Sequence, residues 1–92
     1  MPDLVFVDGT VRLATGRAAE AVPLFESVKG AFGKSIIFLN NLAAAYAQTG
    51  QLSKAVTTWE QALAAQPSNE RIRRSLAQAR AQMDSLAASP SR

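Results

Sequence analysis

The side chains of this sequence able to move a proton or hold an ion are seven carboxylates, Asp3, Asp8, Glu20, Glu26, Glu60, Glu70 and Asp84, together with ten lysines and arginines. Cysteine and histidine are absent. That excludes thiol nucleophiles, Ser-His-Asp triads, zinc fingers, iron–sulfur ligation and any disulfide framework. Carboxylate pairs are what remains for catalysis, and a glycosidase-like pair needs two carboxyl groups about 5–9.5 Å apart in a cleft. Glu26 follows Phe25 and Glu60 follows Trp59, matching contexts that can set the two near one another. Nothing in the chain supplies a deep pocket, so both read as solvated carboxylates on an outer face. Gly30-Ala31-Phe32-Gly33-Lys34-Ser35 ends in the Gly-Lys-Ser of a phosphate loop. The first glycine of such a loop would stand where Val28 is found, and the segment follows a helical pattern instead of a strand. Gly30 and Gly33 are therefore read as a helix stop and loop, and Ser35 as the cap of the next helix. No metal and no cofactor is implied.

The elements that must position these groups are constrained by size and composition. Ninety-two residues, 48% of them hydrophobic, make one small domain that buries about 60% of the surface its unfolded chain exposes. Most side chains must then serve the fold, and an interaction module is expected ahead of an enzyme. Alanine accounts for 18 residues. As the best helix former and a poor strand residue, it predicts an all-α core of closely packed helices. The net charge of +3 is unevenly placed. Residues 1–69 balance five basic against five acidic side chains, whereas residues 70–92 carry Arg71, Arg73, Arg74, Arg80 and Arg92 against Glu70 and Asp84. Leu4-Val5-Phe6-Val7 is too short for a signal-peptide core or a membrane span. Membrane insertion is not expected, and the cytoplasm is the default compartment.

The chain repeats itself at an offset of 34 residues. Thr15-Gly16 falls on Thr49-Gly50, Ala21-Val22 on Ala55-Val56, Phe25 on Trp59, Glu26 on Glu60 and Ala31 on Ala65. Gly16 and Gly50 suit the left-handed position after a helix C-terminus. Leu39, Leu42, Ala43 and Tyr46, then Leu52, Ala55, Val56, Trp59, Ala62 and Leu63, follow helical spacing on either side of Gly50 and predict a helix–turn–helix pair. Pro67-Ser68-Asn69 closes it, with Ser68 or Asn69 as the next N-cap. The last helix draws one apolar stripe through Ile72, Leu76, Ala79, Met83 and Leu86, and residues 88–92 are expected to form a flexible tail. Around Asp8-Gly9 two readings compete: a β-hairpin, from Asp-Gly between alternating branched residues, and a helix with Leu4, Val7, Val11 and Ala14 on one face. The 34-residue register, which lands Gly9 on Ala43, favours the helix.

Asn41-Leu42-Ala43-Ala44-Ala45-Tyr46-Ala47-Gln48-Thr49-Gly50, followed by Ala55, Trp59, Ala62-Leu63 and Pro67, resembles a tetratricopeptide repeat over residues 36–69. Residues 2–35 resemble a second, weaker copy through Gly9, Gly16, Ala21 and Phe25, with Asp8 and Arg12 standing where the family places Leu and Tyr. Residues 70–87 resemble the solvating helix that ends such arrays. The resemblance implies a right-handed superhelical stack of antiparallel helix pairs, an α-solenoid acting as a non-catalytic protein-interaction scaffold. One repeat cannot bury its own apolar face, so each stacks on the next.

Such a stack has a concave surface lined by the first helix of each pair, and the offset sets its columns. Asp3, Ile37 and Arg71 form one, Phe6, Asn40 and Arg74 a second, Thr10, Ala44 and Gln78 a third, and Leu13, Ala47 and Ala81 a fourth. With Asn41 these give the candidate peptide-binding residues Phe6, Thr10, Ile37, Asn40, Asn41, Ala44, Arg71, Arg74 and Gln78. A partner peptide with an apolar anchor and an acidic or carboxylate group suits a groove apolar at one end and cationic at the other. The carboxylate clamp of the family's chaperone-binding branch is matched only at Asn41 and Arg71. Phe6, Thr10 and Ser75 depart from it, and recognition of a chaperone tail is not implied. Arg73, Arg74 and Arg80 lack interleaved aromatics, which argues against nucleic acid. The alternative expectation is self-association, or membership of a longer array, through an apolar patch of Phe6, Phe32, Ile37 and Phe38.

Overall fold

Two glycine turns set the architecture. Gly16 and Gly50 stand at φ +82° and +81°, a region that L side chains avoid. Around each, the amide two residues past the helix end reaches back: Gln51 N donates to Tyr46 O at 2.8 Å and Gly50 N to Ala47 O at 3.2 Å, while Arg17 N donates to Arg12 O at 2.7 Å and Gly16 N to Leu13 O at 3.3 Å. This is the Schellman pattern, which satisfies the last carbonyls and reverses the chain. The turns lie 34 residues apart, as the sequence register requires.

The computed structural model describes residues 1–88, and every regular element in it is helical. The helices are α1 (Pro2–Ala14), α2 (Ala18–Ser27), α3 (Lys29–Phe32), α4 (Ile36–Gln48), α5 (Leu52–Ala65) and α6 (Glu70–Ala88). Residues 3–14 are thus helix and not hairpin, with Pro2 in the first turn, where its missing amide has no partner to lose. Ser35 caps α4, its hydroxyl accepting from Phe38 N at 3.2 Å. Asn69, not Ser68, caps α6, accepting from Ile72 N at 3.1 Å. Of the tail expected over 88–92, residues 89–92 lie outside the described residues.

Gly30 does not stop a helix. It lies inside α3, a single turn separated from α2 by Val28 at φ −115°. Together α2 and α3 fill the register positions of α5, so the second helix of the first pair is one helix with a break. At the break, Val28 stands where the second pair has the fully buried Ala62. The break thus coincides with a bulkier branched side chain at an alanine position, and Val28 is still buried.

α1 packs antiparallel on α2, α4 on α5, α2 joins the first pair to α4, and α6 covers α5. Small and large residues alternate at the joints. Gly9 is buried against Phe25, and a Cβ on it would sit 2.7 Å from Phe25 Cε1. Ala43, Ala55 and Ala62 are fully buried in the second pair. Phe38 is also fully buried, its ring meeting those of Phe6, Phe25 and Phe32 at centroid distances of 5.4, 5.8 and 5.8 Å. The exposed patch expected from Phe6, Phe32, Ile37 and Phe38 is therefore wrong for Phe38, and Phe6 and Phe32 are half-buried in the same cluster. Only Ile37 of the four is largely exposed, at 70%.

One polar joint repeats with the fold. Tyr46 Oη donates to Glu26 Oε2 at 2.6 Å, between α4 and α2. Thirty-four residues on, Arg80 donates to Glu60, between α6 and α5. Each carboxylate bonds a side chain of the helix that follows its own pair. Burial, then the bond to Glu26, pushes the Tyr46 phenol up from 10.0 to about 12. A raised folded-state value means that this contribution to stability is fully present below about pH 10 and is lost as the pH rises through about 12. Absorbance titration of the chain's one tyrosine should show phenolate forming near pH 12, and Glu26→Gln should lower that midpoint. A wild-type midpoint near 10.0 would contradict the buried joint.

Candidate functional site

The column residues lie on the first helices of the pairs, α1 and α4, and on the closing helix α6. Phe6, Val7, Thr10 and Val11 from α1 and Ile37 and Asn41 from α4 enclose a hollow of about 300 Å³. Its wall is almost wholly apolar because its polar groups are turned on one another. Thr10 Oγ1 donates to the Phe6 carbonyl at 2.9 Å, and Asn41 Nδ2 approaches Thr10 Oγ1 at 3.5 Å.

A second hollow, of about 220 Å³, adjoins it. Ile36, Ile37, Asn40, Asn41, Asn69 and Arg71 are in its wall, so Ile37 and Asn41 belong to both. Neither Arg71 nor Arg74 forms an ion pair with another described residue. Arg73 approaches Glu70 at 3.9 Å and Arg80 meets Glu60. Two cations at this end thus remain available to an anionic group.

The other expected site residues are placed differently. Asn40 Oδ1 accepts from Trp59 Nε1 at 2.9 Å, so its carbonyl satisfies a buried indole and only its amide nitrogen can serve a ligand. Ala44 is half-buried and Arg74 exposed, and neither lines the two hollows. Gln78 faces a separate hollow of about 290 Å³ with Ser75, Gln82 and the edge of Trp59. Six of the nine residues line one or both of these two hollows: Phe6, Thr10, Ile37, Asn40, Asn41 and Arg71.

Val7 and Val11 were missed as lining residues. Their spacing with Leu4 already marked them as one face of α1, but nothing in the sequence says that this face meets solvent. They are 59% and 53% exposed. Among the described residues no cluster of three or more Asp, Glu, His or Cys could hold a metal, and no helix is long and apolar enough to cross a membrane. A family model described as tetratricopeptide repeat matches residues 12–79, from the second half of α1 into α6. A comparison with curated proteins finds no match.

Proposed function

Since the chain belongs to the tetratricopeptide repeat family, a family of protein-interaction modules, we propose that it is a non-catalytic scaffold that binds an extended peptide segment of a partner along the concave side. The unit doing so is residues 1–88, read as a first repeat over 2–35, a second over 36–69 and a closing helix over 70–87. The observation that carries this reading is the pair of adjoining hollows that share Ile37 and Asn41, one apolar and one beside an unpaired arginine. A peptide side chain such as Leu or Phe fills the first. A carboxylate a few residues away meets Arg71 and, further along, Arg74, through charge-assisted bonds.

Selection from a displayed library of random peptides tests it. The wild-type chain should enrich sequences with an apolar residue followed by Asp, Glu or a free C-terminus. Ile37→Glu replaces an exposed side chain, so folding should survive, yet affinity should fall about 10-fold or more as the apolar anchor is lost. Arg71→Glu with Arg74→Glu should remove the acidic preference and keep the apolar one. Unchanged selection by all three proteins would rule the groove out.

A further inference from the structure

Four of the six large hydrophobic side chains exposed among the described residues fall within residues 1–11: Met1, Leu4, Val7 and Val11, at 86%, 67%, 59% and 53%. Leu4, Val7 and Val11 recur at the spacing of one helix face, and this face of α1 has no helix on it. The 34-residue register shows what such a face does elsewhere in the fold. Leu4, Asp8, Val11 and Arg12 correspond to Phe38, Leu42, Ala45 and Tyr46 in α4, all buried, where Phe38 meets Phe25 edge to face and Tyr46 bonds Glu26 of α2. They correspond again to Ile72, Leu76, Ala79 and Arg80 in α6, of which the first three are buried and the last pairs with Glu60 of α5. On α4 and α6 this is the stacking face. On α1 it is open.

A further repeat does not suit it. Asp8 stands where Leu42 and Leu76 are buried, so a helix pair stacked there would take the Asp8 carboxylate and the Arg12 guanidinium out of water, which is costly unless every charge is met. Those two groups are instead arranged for the surface. Arg12 Nε donates to Asp8 Oδ1 at 2.8 Å and Arg12 also pairs with Glu20. Bonding to Asp8 first, and then to Glu20, raises the Arg12 pKa. What is left is an apolar stripe with an acid and a base one turn apart along a single flank.

That layout is self-complementary. When two such helices meet antiparallel about a two-fold axis, equal flanks face each other, as an isologous contact requires. With the axis near Gly9, Val7 of one copy lies level with Val11 of the other. Arg12 then stands about 3 Å along the axis from Asp8 of the second copy, at about 1.5 Å of rise per residue. Along the axis the order is then Arg12, Asp8, Asp8, Arg12, so the two carboxylates meet at the centre, each between the Arg12 of its own copy and that of the other, and all four groups stay at the rim of the apolar stripe. We propose that the outward face of α1 is a docking surface for a second copy of this chain, giving an antiparallel α1–α1 dimer through Leu4, Val7 and Val11; since Val7 and Val11 also line the apolar hollow, the second copy and a bound peptide compete for them. One helix face per copy makes a small interface of the weak, reversible class.

Sedimentation velocity on the whole chain, from low micromolar to near-millimolar concentration, should show a monomer passing reversibly to a dimer. Leu4 lies outside the peptide hollows, so Leu4→Glu should hold the chain monomeric throughout while leaving peptide selection intact. Ile37→Glu should do the reverse. The natural absence of cysteine allows a check of orientation: a mixture of Val7→Cys and Val11→Cys chains should cross-link faster under mild oxidation than either chain alone. A wild-type chain monomeric across the range overturns the proposal. Association that survives Leu4→Glu, or a mixture that cross-links no faster than its components, does so too. Circular dichroism of each variant confirms that the helices are formed.

Discussion

Replacing Phe38 by alanine should lower the free energy of unfolding by about 3–5 kcal/mol, among the largest losses expected from a single truncation in the chain. Its ring is fully buried where α1, α2, α3 and α4 converge. It meets Phe6 and Phe25 nearly perpendicular, at 85° and 83°, and Phe32 nearly parallel, at 29°, arrangements that add to the area buried. Removing it opens a cavity that the three remaining rings, anchored on three separate helices, cannot collapse to fill. A domain of this size has roughly 5–14 kcal/mol in total, so the variant should be marginal at room temperature. Urea unfolding followed by circular dichroism measures the loss. Phe38→Leu, which keeps most of the volume, should cost less than half as much. Equal and small effects of both substitutions would mean that the four rings are not packed as described.

Trp59→Ala should cost about 3–5 kcal/mol for a different combination of reasons. The indole is 5% exposed and fills the gap within the second pair beneath α6, and its Nε1–H is satisfied by Asn40 Oδ1 at 2.9 Å. Two further variants separate packing from polarity. Trp59→Phe keeps much of the apolar area and removes the donor. Asn40→Ala keeps the ring and leaves a buried N–H unpaired, a loss of about 1–3 kcal/mol. If the bond matters as the geometry indicates, Asn40→Ala should be the more harmful of these two, and it should shift the emission of the chain's one tryptophan. An Asn40→Ala protein as stable as the wild type would show that Asn40 serves the groove alone.

The fold was legible because its signals are local and repeat. Gly16 and Gly50 name the turns, Ser35 a cap, and the offset places Phe25 over Trp59 and Gly9 over Ala43, so that even the hairpin-like Asp8-Gly9 could be read as helix. Phase within an apolar run was not legible in the same way. Ile36-Ile37-Phe38-Leu39 offers four hydrophobic residues in a row, and only the packing of α4 on α2 decides that Phe38 goes in and Ile37 out. The break at Val28, where the second pair has Ala62, is invisible to helical spacing. In the site, the columns drew on Phe6, Thr10, Ile37 and Arg71, which line the two hollows. Asn40 was only half understood, because its partner is 19 residues away on another helix. A general signal pointed to that bond: a buried indole needs an acceptor, and Asn40 is one of few amides near it.

The uneven burial along the stack has a mechanical consequence. α1 contributes a single buried residue, Gly9, whereas α4 contributes six. Extensive contacts join neighbours in the order α1–α2–α4–α5–α6. In such a nearly one-dimensional assembly stability is a profile along the chain, not one number. The end helix can peel away while the second pair and α6 stay folded, and its departure uncovers Phe38 and dismantles the apolar wall of the groove. Anything that clamps α1 onto α2 without covering Val7 and Val11 therefore also holds the binding surface together.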